Sequence, residues 1–251
     1  MKKRDTLAIV RRHYPRAVTT SASVEALFEL LEDRFDLEPH RIMLADSICS
    51  DDVNTIEYPA RAFEMLGPFK MGGLNGFPFT GLTGMAAFAG HVPDEGAVFI
   101  FYAPHIGVSK QGVVGELLRL GQSKPSGCCG AAKAALAQLV AGQITRGHVT
   151  DLDYQINTIK QVFLASSDRI LAAPDRLREA TEVMYEAIHE RITVLAQATS
   201  YRCRYVIRMG AILINGDHDM GSLTEARHAV VQDVLAGTTT DVLADYVGRL
   251  R

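Results

Sequence analysis

Between the turn Pro93-Asp94-Glu95-Gly96 and Pro104, the chain runs Ala97-Val98-Phe99-Ile100-Phe101-Tyr102-Ala103 without a charge. Successive side chains of an extended segment point to opposite faces, so a run apolar at every position must be covered on both sides. The centre of a sheet with a layer on each face provides that. A second strand is expected at about 41–48, where Ile42-Met43-Leu44-Ala45-Asp46-Ser47-Ile48 leads to Cys49, and a third within Tyr201–Asn215. Helical patterns lie between and after these strands, and such alternation predicts an α/β layer structure.

Ser23 is a candidate cap for a helix whose residues Val24, Leu27, Phe28, Leu30 and Leu31 form one apolar face, with Glu25, Glu29, Glu32 and Asp33 outside. Further helices are expected at Asn54–Leu66, with Pro59 delaying the start, and at Met85–His91, Gly130–Ala141, Asp153–Leu164 and Asp175–Ala198. The last has Leu177, Val183, Met184, Ala187, Ile188, Ile192 and Leu195 near the 3.6-residue repeat. The tail from Leu223 to Arg251 is read as two helices. No repeat or linker divides the chain, so residues 1–251 are expected to form one α/β domain.

With 47% hydrophobic residues, the 251-residue chain can bury a core without disulfide support. A net charge of -3 provides no electrostatic footprint for nucleic acid. No apolar run approaches the roughly 18 residues of a spanning helix, so no membrane partner is expected. Lys2, Lys3 and Arg4 have no apolar stretch behind them, which argues against a secretory signal and for the cytoplasm. Four cysteines in that setting point to thiol or metal chemistry.

Three of the cysteines and one histidine sit at element ends. Cys49 closes the strand at 41–48, His105 follows Pro104 beyond the apolar strand, and Cys128-Cys129 precedes Gly130 and the alanine-rich helix. Ligand sites in open α/β sheets form beyond the carboxyl ends of strands. Two thiolates and one imidazole suit Zn²⁺ and leave a fourth position open, as catalytic zinc sites do. For each cysteine alone the competing reading is a small buried hydrophobe. Asp51, two residues after Cys49, either caps the adjoining turn or orients a nucleophile beside the metal.

The stretch Gly72-Gly73-Leu74-Asn75-Gly76-Phe77-Pro78-Phe79-Thr80-Gly81 matches no phosphate-binding loop and is apolar, either a packed connector or a wall for a small uncharged substrate. His91 falls at a helix end, and His218, within Asn215-Gly216-Asp217-His218-Asp219, at a solvated turn. Cys203 is read as a plain strand position.

Ser47-Ile48-Cys49-Ser50-Asp51-Asp52-Val53-Asn54 resembles the limiting-CO₂-inducible protein B/C family, the LCIB-type or theta-class carbonic anhydrases. The glycine-rich stretch continues the resemblance, as do Pro104-His105-Ile106-Gly107-Val108-Ser109, Gly112-Val113-Val114-Gly115 and Pro125-Ser126-Gly127-Cys128-Cys129-Gly130-Ala131-Ala132. The resemblance covers about residues 40–140. It implies a sheet core like that of beta-carbonic anhydrases with helices on both faces, zinc held by Cys49, His105 and a second cysteine, and a homodimer. Cys129 is preferred over Cys128 because the beta-class ligand is directly followed by glycine.

The same resemblance implies zinc-hydroxide-catalysed, reversible hydration of CO₂ to bicarbonate, with Asp51 orienting the nucleophile. Beta-class enzymes clamp this aspartate with an arginine two residues later, where this chain has Val53. Arg61 is the candidate replacement. Two other readings remain open: a zinc hydrolase of small substrates, and a non-catalytic bicarbonate-sensing or scaffold protein with Asp51 as fourth ligand.

Overall fold

The computed structural model describes residues 3–54, 60–93 and 95–250. The first elements are α1 (Lys3–Arg11), β1 (Val18–Thr19), α2 (Thr20–Phe35), β2 (Ile42–Ser47), β3 (Leu66–Lys70), α3 (Leu82–Gly90), β4 (Ala97–Tyr102) and β5 (His105–Gly107). Two short strands, β6 (Glu116–Leu117) and β7 (Ser126–Gly127), lead into α4 (Gly130–Val140), α5 (Tyr154–Ala165), α6 (Ser167–Ala172) and α7 (Arg176–Gln197). The chain ends with β8 (Tyr205–Asn215), β9 (Ser222–Asp233), β10 (Thr238–Asp241) and α8 (Leu243–Arg249).

The main sheet has eight strands, and its path runs β1-β9-β8-β4-β2-β3, with β10 beside β9 and β5 beside β8. Strands β3, β2, β4 and β8 are parallel, whereas β9 is antiparallel to β8. As expected, β4 lies inside the sheet between β2 and β8. Val98, Ile100 and Tyr102 face a core shared with α3, α4, α5 and α7. Phe99 faces the opposite core, under α2 and α8. Each face therefore has its helical layer.

Three local expectations change. The cap of α2 is Thr19, whose Oγ1 accepts from the Ala22 N–H at 3.2 Å; Ser23 is buried inside the helix, its hydroxyl 2.7 Å from Tyr246 Oη. Over 54–66, part of the expected helix, including Pro59, lies outside the described residues. Asn54 ends one 3₁₀ turn, Asp52–Asn54, and residues 60–66 hold a second, Ala60–Glu64, and the start of strand β3. The tail holds two strands and one helix rather than two helices. Residues 222–233 pair along the whole of β8, and Val230 and Val231 suit that pleated environment, so tertiary pairing overrides a weak helical pattern.

Candidate metal centre

The parallel strands deliver the site residues at their carboxyl ends. Cys49 follows β2, His105 opens β5 just beyond β4, and Cys129 caps the N-terminus of α4. The positive end of that helix favours a thiolate. Cys49, His105 and Cys129 are all buried, and one donor atom from each lies within 4.8 Å of the others. The structure thus brings together the three residues singled out as ligands.

The imidazole has two unlike sides. On one, Nδ1 lies 2.8 Å from Asn215 Oδ1. Asn215 Nδ2 donates to Val53 O at 3.1 Å and Asn54 Oδ1 at 3.3 Å, which fixes the amide so that its oxygen faces the ring. Nδ1 therefore carries the proton. On the other side, Nε2 is fully buried and has no hydrogen-bond partner among the described residues, a condition that costs about 1–3 kcal/mol if nothing fills it. A histidine whose Nδ1–H is held by a protein acceptor while Nε2 is free is arranged as metal ligands are.

Cys128 belongs to the occupied side. Its sulfur is 3.5 Å from Nδ1 and 3.8 Å from Asn215 Oδ1. A second donor group, Asp51, His105 and Cys128, also falls within 4.8 Å. It is the poorer candidate, because Cys128 flanks the nitrogen already bound to Asn215 while Asp51 Oδ2 stands 4.0 Å from Nε2.

The two sulfurs act on each other's ionisation in opposite directions. A hydrogen bond from Cys129 outweighs burial and, with His105, holds the Cys49 thiol at about 4. The same hydrogen bond and burial push the Cys129 thiol well up. Burial opposes charge on His105, yet the negative sulfur pair raises its basicity well above the ordinary value. A divalent cation would let both thiols ionise side by side and would satisfy Nε2, so these residues fit zinc.

Asp51 is held by an arginine that sequence reasoning missed. Arg119 Nη2 lies 2.8 and 2.9 Å from the two carboxylate oxygens of Asp51, and Nε lies 3.1 Å from Asp52 Oδ1. Burial works against the Asp51 charge, but hydrogen bonding with Asp52 and Arg119 holds its carboxyl below the usual range. Arg61, the expected clamp, pairs with Glu25 and Glu32 instead. Arg119 is anchored to Ser126 Oγ at 2.5 Å across the β6–β7 pair. That hairpin runs directly into Cys128-Cys129, so it positions both the clamp and a ligand.

The glycine-rich stretch closes the floor. Ser47 Oγ donates to Gly76 O at 2.9 Å, and a Cβ on Gly76 would meet Ala103 O at 2.2 Å, which only glycine avoids. Asn75 donates its backbone N–H to Cys49 Sγ at 3.1 Å. Leu74 and Phe77 pack against the core cluster that contains Cys49 and Cys129, and Phe79 stacks edge-on against Tyr154. The remaining histidine and cysteine readings fall away from the centre. His91 ends α3, His218 is an exposed turn residue bonded to Leu118 O, and Cys203 is buried in the turn before β8 rather than in the strand.

The family model for limiting CO₂-inducible proteins B/C beta carbonic anhydrases matches residues 18–233, and the chain belongs to this family. Its fold matches the crystal structure of PtLCIB4, a homolog of the limiting CO₂-inducible protein LCIB, with a TM-score of 0.81. Identity is 30% over 94% of this chain and 98% of that one. The structure of LCIB itself matches with a TM-score of 0.67 at 18% identity, over 92% of this chain and 95% of the other, which supports the fold. A comparison with curated proteins finds no match. No helix among the described residues is long and apolar enough to cross a membrane.

Proposed function

We propose that this protein is a zinc-dependent carbonic anhydrase that reversibly hydrates CO₂ to bicarbonate, with Cys49, His105 and Cys129 as the metal ligands. The observation that carries the reading is the buried group of Cys49, His105 and Cys129, in which His105 Nε2 has no hydrogen-bond partner among the described residues, with Asp51 clamped beside it. Zinc bound there supplies the Lewis acidity that makes water nucleophilic at neutral pH.

The chain's own residues do the rest. Asn215 holds the His105 tautomer. Arg119 keeps Asp51 ionised and occupies both of its oxygens from one side, which favours an orienting carboxylate over a fourth ligand. Asp51 accepts the hydrogen bond of the attacking oxygen and so turns a lone pair toward carbon. Leu74 and Phe77 offer CO₂ an apolar surface. A homodimer in the cytoplasm belongs to the same reading.

An Asp51→Asn variant tests it: zinc should be retained, while CO₂ hydration falls by about 100-fold or more. Full hydration by that variant would remove the aspartate from the scheme.

A further inference from the structure

We propose that the Asn75 side chain contacts the substrate, pairing its amide with bicarbonate at the Cys49–His105–Cys129 site; this rests on the carbonic anhydrase reading above. Asn75 is 1% exposed, and neither Oδ1 nor Nδ2 has a hydrogen-bond partner among the described residues. Its backbone N–H reaches Cys49 Sγ at 3.1 Å, so the residue abuts that sulfur. His105, whose Nε2 has no partner among the described residues, belongs to the same donor group as Cys49. Two residues beside one sulfur therefore both present buried polar atoms without a partner among the described residues.

The loop holds Asn75 rigidly. The residue adopts the left-handed conformation, φ 54° and ψ 20°, between Leu74, whose N–H is bound by Gln155, and Gly76, whose carbonyl is bound by Ser47. Glycine would meet that backbone requirement without burying an amide. An amide there, with both ends unpaired among the described residues, points to a partner from outside the chain.

The chemistry of the partner follows from the amide. Nδ2 donates and Oδ1 accepts, on adjacent atoms of one plane. Bicarbonate presents an anionic oxygen, a strong acceptor for Nδ2, while its single hydroxyl hydrogen is the one Asp51 accepts and Oδ1 is left to a site water. CO₂ offers only uncharged, weakly accepting oxygens. Asn75 thus distinguishes the hydrated form of the substrate from the dehydrated one, and its effect falls mainly on bicarbonate binding.

The test is Asn75→Gly, which keeps the left-handed backbone and the N–H bound to Cys49 while deleting the amide. Bicarbonate is titrated onto the cobalt(II)-substituted full-length protein and followed by visible absorption, with metal content and Tm measured alongside. The expected result is unchanged metal content and bicarbonate affinity weaker by about tenfold or more, the value of a hydrogen bond to a charged group. Equal affinity in the variant, loss of metal from it, or no bicarbonate response in the unmodified protein each overturns the contact. The same proteins, zinc-loaded and assayed for CO₂ hydration, separate the two readings. Asn75-dependent bicarbonate binding without turnover sinks the enzyme and leaves the contact; turnover with Asn75-independent binding does the reverse.

Discussion

Cys49 and Cys203 are both buried thiols, and they lie at opposite ends of the same sheet. Cys49 follows the carboxyl end of β2, where Cys129 and His105 meet it and hold its thiol at about 4. Cys203 precedes the amino end of β8; its sulfur donates to Tyr205 O at 3.3 Å, and burial pushes its thiol up. Burial alone makes a cysteine inert. Reactivity comes from the end of the sheet where β2, β4 and β8 all finish and their connections fold back over one another.

The largest test of that contrast exchanges one sulfur at each end. Cys49→Ser should lose zinc and bring CO₂ hydration to the buffer blank, while Cys203→Ser retains both, as metal analysis and stopped-flow kinetics would show. Equal losses would erase the distinction. Arg119→Ala comes next. Freed of its clamp, Asp51 would be available to a bound zinc as a fourth ligand, and hydration should fall by about 100-fold while zinc is retained.

Asn215→Leu acts through the imidazole. With no acceptor for the His105 Nδ1 proton, zinc affinity should fall by about 10- to 100-fold in a chelator competition. Unchanged affinity would mean that the tautomer is set elsewhere.

The smallest effect lies on the antiparallel side of the sheet. Burial, helped by His189 and Arg208 and opposed by Asp241, lowers the basicity of His228 from 6.5 to about 4. Its folded-state pKa is below the unfolded value, so the unfolded chain binds the proton more readily between those values. Stability should therefore decline as pH falls from about 6.5 to about 4. His228→Gln should flatten that limb of a Tm-against-pH curve without changing metal content.

The same geography explains what the chain reveals unaided. Strands β2 and β4 are legible because burial on both faces forces continuous apolar runs, and Cys49, His105 and the Cys128-Cys129 pair stand out because they punctuate element ends; the choice of Cys129 within the pair comes from the family resemblance. The spacing of Asp51 from Cys49 leaves a turn cap and an orienting carboxylate equally open, and the family resemblance chooses the second. Arg119 is not legible, since it meets Asp51 across 68 residues by way of two-residue strands that have no periodicity. Arg61 looked equivalent in sequence but spends its charge on Glu25 and Glu32. Asn215 and Asn75 are single amides whose neighbours at the site meet them only once the sheet ends converge. The strands of the tail are hidden for a related reason: Ala226, Arg227, His228 and Ala229 suit a helix as well as a strand, and only the edge of β8 decides between them.

The most direct measurement is stopped-flow CO₂ hydration by the unmodified, zinc-loaded protein with its metal content determined on the same sample. The rate should lie well above the buffer blank and scale with bound zinc. A full zinc complement with a rate equal to the blank would contradict the zinc-hydroxide reading.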